Sequence, residues 1–203
     1  MTADETEAAP IIAVATRLFA QLGFDGTSMG MVADAAGLDP ATLTERIGMS
    51  KSDLYRAVME RAHEAQKVAV GDALASFTPT GTALADLADR YLDYYARNPE
   101  TVGLWLHRRM GDAADISDLE ERYIRPPFVR VAEALRGRAP DIDVDYALWS
   151  IYWVMTGFFS TGVMHTGASG HRHGTGLHLL PEDIEDFRRH LRRLVTRLLP
   201  LPE

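Results

Sequence analysis

The chain has 203 residues, 46% of them hydrophobic, with a net charge of −8 and no cysteine. That is enough apolar material for one mid-sized domain, or a small domain joined to a larger one, and it excludes a disordered chain, a disulfide framework and thiol chemistry. An acidic chain meets nucleic acid only where its bases gather on one face, because neutralised phosphate supplies most of the sequence-independent affinity.

The opening MTADETEAAP is acidic and polar, the reverse of a secretory signal, and a cytoplasmic protein is expected. Residues 10–22 place Ile11, Ala15, Leu18, Phe19 and Leu22 on one helical face, with Pro10 suited to the first turn and Gly23 to the end. Thr27 or Ser28 caps a second short helix to Ala36, with Met29, Val32 and Ala33 turned inward, and Gly37 makes a tight turn. Asp39 followed by Pro40 predicts a carboxylate cap and a first-position proline for a third helix, which stops at Gly48. Ser50-Lys51-Ser52-Asp53 predicts the capped start of a long fourth helix, in which Leu54, Val58, Ala62 and Ala65 recur at helical spacing.

Further helices are expected over residues 82–97, 100–111 and 117–135, the last kinked or split by Pro126-Pro127. Residues 143–165 form the most apolar helix; Ser150, Gly157, Ser160 and Gly162 interrupt it too often for a membrane span. A Gly/His loop follows over residues 166–176, then an arginine-rich helix over residues 181–199. No strand pattern or repeat stands out, so the fold class is all-α.

Three short helices with a glycine turn between the second and third make a helix-turn-helix pattern. Its details are Leu18-Phe19-Ala20-Gln21-Leu22-Gly23-Phe24, Thr27-Ser28, Val32-Ala33-Asp34-Ala35-Ala36-Gly37-Leu38, Thr42-Leu43 and Ser50-Lys51-Ser52-Asp53-Leu54. In that order and spacing they resemble the TetR family of bacterial regulators. The resemblance implies an N-terminal three-helix DNA-binding domain over residues 1–54 and a larger helical ligand-binding and dimerisation domain over residues 55–203. It implies a homodimer that binds double-stranded operator DNA, a small-molecule effector, and a repressor that a mostly apolar molecule releases.

The chain also departs from that pattern. Asp39-Pro40 stands where the family has a Ser-Lys-like start, Thr44 replaces the tyrosine that commonly touches a phosphate, and Gly48-Met49 adds a residue before Ser50. Gly30 replaces a basic residue, and no Lys or Arg precedes Arg17. The expected DNA contacts are Thr27, Thr42, Thr44, Glu45, Arg46 and Lys51. Asp39 is read as a cap, and Glu45 and Arg46 either as contacts or as a solvated face. Acids on this helix favour cytosine amino groups and otherwise repel phosphate. A rival reading follows: a small-molecule-binding or heterodimer-partner protein with a degenerate helix-turn-helix.

In the larger domain, Tyr91, Tyr95, Trp105, His107, Met110, Phe128, Trp149, Tyr152 and Phe159 are the expected ligand-binding residues, an apolar wall with a few polar tips. Trp153, Gly157, Ser160, Thr161, Leu191 and Val195 are the expected dimer contacts, and the resemblance implies that their two helices pack against their mates as a four-helix bundle. Arg188, Arg189, Arg192, Arg193 and Arg197 spread over more than one helical face and are read as solvated or in inter-subunit ion pairs. His165, His171, His173 and His178 are spaced too loosely for a structural zinc site, and no metal or cofactor is expected. No nucleophile triad, carboxylate pair or phosphate loop stands out, so the chain is not read as an enzyme.

Overall fold

The computed structural model describes residues 3–163 and 179–201; the histidines of the Gly/His loop lie outside the described residues. Every regular element among the described residues is helical: α1 (Ala3–Gly26), α2 (Met29–Ala36), α3 (Pro40–Ile47), α4 (Lys51–Ala75), α5 (Gly81–Arg97), α6 (Pro99–Arg109), a π-turn (Glu120–Ile124), α7 (Arg125–Arg136), α8 (Val144–Thr161) and α9 (Pro181–Leu198). The break expected at Pro126-Pro127 is a change of helix type: both prolines sit in the first turn of α7, where a missing N–H costs nothing. No described helix is long and apolar enough to cross a membrane.

The chain forms two compact units. The first is Met1–Ala65 with Glu100–Leu119. The expected boundary after residue 54 falls inside it, because α6 and the turns after it pack with α1. Gly103 passes so near α1 that an added Cβ would lie 2.5 Å from the Ala20 carbonyl oxygen. The Asp112 carboxylate accepts the backbone N–H groups of Phe24 at 2.6 Å and Asp25 at 2.8 Å. Those amides are available because Gly23 (φ 76°) takes the chain out of helical geometry in α1. Phe19 and Phe24 each meet the ring of Tyr55 at 5.1 Å, and Phe19 and Tyr55 are almost fully buried.

The second unit is Gln66–Pro99 with Glu120–Glu203. Here α5 packs on α9 and α8, and α8 on α7. Leu191, Val195 and Leu199 have no exposed surface. Ion pairs border this contact: Arg188 donates to Asp93 at 2.6 Å, and Arg192 donates to Asp89 at 2.6 Å and to Asp86 at 2.8 Å. Arg188 and Arg192 therefore pair within one chain. Their guanidinium groups are held protonated by these carboxylates, while burial pushes the Asp89 carboxyl above its usual range despite the two cations.

Candidate DNA-reading face and ligand cavity

The reading helix is built from its caps outward. Ser28 accepts the Met31 N–H at 3.2 Å to open α2, and Gly37 (φ 68°) closes it in the left-handed conformation. Asp39 opens α3: one carboxylate oxygen accepts the N–H groups of Ala41 and Thr42 at 3.1 and 3.0 Å, and the other accepts the Thr42 hydroxyl at 2.6 Å. The Thr42 hydroxyl and the backbone N–H groups hold the Asp39 carboxyl below its usual range. Ser50 and Asp53 cap α4 reciprocally, each side chain accepting the other's N–H at 3.2 Å. Leu43 and Ile47 anchor α3 in the first unit's core, which leaves Thr44, Glu45 and Arg46 exposed.

Not every expected contact residue sits on that face. Thr27 is 2% exposed and donates its hydroxyl to the Gly23 carbonyl at 2.7 Å, so it ties α1 to the start of α2. Thr42 is half-buried with its hydroxyl proton committed to the cap. Thr44 donates to the Pro40 carbonyl at 2.9 Å, leaving its oxygen free to accept. Lys51 lies at the start of α4 with its ammonium 4.2 Å from the centre of the Phe24 ring.

The second unit holds a cavity of about 80 Å³. Of the expected ligand residues, Tyr91, Tyr95, Phe128 and Tyr152 line it. Trp149 lies behind the wall, stacked on Phe128 at 4.8 Å, and Phe159 meets Tyr95 edge-on at 6.0 Å. Trp105, His107 and Met110 belong to the first unit, and none of them lines the cavity. Trp105 is buried there, while Met110 is 68% exposed beyond the end of α6. The wall also holds Tyr123, Met155 and Gln66. Gln66 hydrogen-bonds Tyr91, whose hydroxyl burial pushes above its ordinary value. Gln66 stands one helical turn after Ala62 on the apolar face of α4, and that spacing was a usable signal.

On the outer side of α8 and α9, Trp153, Gly157 and Thr161 border a groove with Phe187 and His190. Phe158 stacks on Phe187 at 3.9 Å beneath it. Ser160 is half-buried and donates to the Gly157 carbonyl at 3.1 Å. Leu191 and Val195 are corrections to the expected dimer contacts, because both are fully covered within the chain.

Residues 11–58 match the model of a family described as bacterial regulatory proteins, tetR family. The helix-turn-helix is a TetR-family module. No curated protein sequence matches the chain. Among solved structures, the chain resembles a putative TetR-family transcriptional regulator from Mesorhizobium loti at 20% identity, covering 98% of each chain with a TM-score of 0.62. It resembles the TetR-family regulator PfmR from Thermus thermophilus at 21% identity, covering 93% of this chain and 98% of that one, with a TM-score of 0.60. A third is AibR, solved with isovaleryl coenzyme A and operator DNA, at 18% identity over 96% of this chain and 99% of that one, with a TM-score of 0.64. At these identities the likeness is one of fold, and it spans both units. The first unit thus carries the TetR-family helix-turn-helix, and the chain shares its fold with solved TetR-family regulators. Within its first unit, Asp112 and Gly103 position the module, and neither carries a local motif: Asp112 lies 88 residues from the amide it holds.

Proposed function

We propose that the chain is a ligand-responsive repressor that binds operator DNA as a homodimer and is released when a small, mostly apolar molecule occupies the cavity of the second unit. The observation that carries this reading is the TetR-family module itself, with α3 capped at both ends and its Thr44–Glu45–Arg46 surface exposed. Arg46 and Lys51 are the phosphate contacts, Thr44 accepts from a base-edge amino group, and Glu45 reads a cytosine amino group. Thr42 contributes through its oxygen, and Thr27 through its backbone and by fixing the start of α2.

The cavity supports the effector half of the proposal; AibR, solved with isovaleryl coenzyme A and operator DNA, shows only that this fold can carry a ligand and DNA together. The link is α4, which begins at Lys51 and carries Gln66 and Leu74 to the cavity wall. An occupant that tilts α4 changes the spacing of the two modules of a dimer, so that they no longer fit successive major grooves. The dimer forms through the outer groove of α8 and α9. There an added Cβ at Gly157 meets nothing within 4 Å of its own chain. Gly157→Leu therefore leaves the protomer intact and shifts it towards monomer in sedimentation; an unchanged dimer removes Gly157 from the interface. With DNA as partner, the cytoplasm is the place of action.

A second reading, a binding protein with a degenerate module, is favoured by one observation: the exposed side chains of α3 include Glu45 and only one base, Arg46. The deciding experiment measures affinity for the protein's own upstream DNA with and without a ligand found by thermal-shift screening. At least a tenfold loss of DNA affinity on ligand binding is expected. A ligand that stabilises the protein and leaves DNA affinity untouched contradicts the coupling.

A further inference from the structure

We propose that the cavity selects small neutral molecules bearing one hydrogen-bonding group, which Gln66 and Tyr91 read, and that it rejects anions; this rests on the effector-binding reading above. Three observations converge. The volume of about 80 Å³ is far below the roughly 300–1,000 Å³ of sites for drug-sized ligands, and suits a single ring or a short branched chain. The wall is aromatic and aliphatic, with Tyr95, Tyr123, Phe128 and Tyr152 around Met155. Among the described residues that line it there is no Asp, Glu, Lys, Arg or His. A carboxylate or phosphate placed there gives up its hydration and gains no counter-charge, the costliest kind of burial.

The polar end of the site is the Gln66–Tyr91 pair. A primary amide offers one carbonyl oxygen and two N–H donors, and a phenol offers one donor and two lone pairs. Their mutual hydrogen bond uses only part of this capacity. The remainder matches a ligand hydroxyl, amide or carbonyl, which donates or accepts without carrying charge. The burial that pushes the Tyr91 hydroxyl up acts in the same direction on an acidic ligand, holding it neutral or keeping it out. A nucleotide-sized anionic effector fits neither this volume nor this wall.

Three probes share one skeleton and differ in the polar group alone: p-cresol, toluene and p-toluate. Each is titrated calorimetrically into the full chain at pH 7. The expected order is p-cresol tightest, toluene about tenfold weaker for want of the hydrogen bond, and p-toluate at least a hundredfold weaker than p-cresol. Gln66→Leu and Tyr91→Phe should each bring p-cresol down to toluene's affinity and leave toluene unchanged. The wild-type series decides the charge selection even where one variant fails to fold. If p-toluate binds as tightly as p-cresol, or if the p-cresol advantage survives in both variants, this proposal is overturned and the effector cavity stands. If none of the three probes binds, both are overturned.

Discussion

The two units place their polar side chains in opposite ways. The first displays its chemistry: Thr44, Glu45 and Arg46 stand exposed on a short helix whose ends are fixed by Asp39 and Gly48. The second hides its chemistry: a cavity walled by Tyr95, Phe128 and Tyr152 holds one hydrogen-bonded pair, Gln66 and Tyr91. Surface recognition of a polyanion depends on charge, and charge is what α3 lacks. Recognition in a cavity depends on shape and desolvation, and the proposed effector site of the second unit has an apolar wall suited to both. The contrast locates any weakness of the DNA-reading module in its electrostatics, since its caps, turns and core are in place.

Targeted substitutions put that contrast at risk. The largest effect belongs to the first unit's core: Phe19→Ala should cost about 3–5 kcal/mol and abolish DNA binding through unfolding, as read by denaturant titration. Next come the features that join α6 and its following turn to α1. Gly103→Leu drives a side chain into the Ala20 carbonyl and should cost about 1–3 kcal/mol or more. Asp112→Ala, which orphans the Phe24 and Asp25 amides, should cost about 1–3 kcal/mol. Both should lower the melting temperature, and an unchanged value for either would show that the interaction does not hold the unit together.

Smaller and opposite in sign is Glu45→Lys. It should raise affinity for DNA of any sequence and steepen the log–log salt dependence by about 0.9 for each further phosphate neutralised. Lys51→Ala should weaken binding evenly across sequences. If Glu45→Lys leaves affinity unchanged, the deficit is not one of charge.

The smallest effect is acid sensitivity, which separates the two units. The carboxyls of Asp39 and Asp53 are both held below their ordinary 3.8, chiefly by the Thr42 and Ser50 hydroxyls. Their stabilisation is complete above that value and is lost as pH falls below it through the folded-state values. Asp89 is pushed up by burial, so its contribution runs the other way, present in acid and lost as pH rises through its raised value. Hydrogen exchange between pH 5 and pH 3, corrected for intrinsic rates, should show the start of α3 opening before the α5–α9 contact. The reverse order would contradict the assignment of the caps.

The legible parts were those written locally. Ser28, Gly37, Asp39-Pro40, Gly48 and Ser50 each specify a helix end within a few residues, and the helices start and stop there. What was not legible depends on which distant segments meet. Asp112 and Gly103 act on α1 from the far side of α4 and α5 in sequence, so no pattern connects them. Trp105, His107 and Met110 have the residue types of a pocket wall, yet α6 packs with the first unit. Leu191 and Val195 lie on an amphipathic face, and periodicity says that such a face is covered without saying by what. Here α5 of the same chain covers it. Thr27 matched a contact position by motif, but its hydroxyl turns inward to Gly23.

The central claim is that the TetR-family module of this chain reads DNA. Fluorescence anisotropy tests it most directly, with the wild-type protein titrated against a labelled duplex from its own upstream region and against a random duplex of equal length, at low and at moderate salt. The account predicts tighter binding to the upstream duplex, with a preference that persists at moderate salt while both affinities fall. Equal affinity for the two duplexes at both salt concentrations would contradict it.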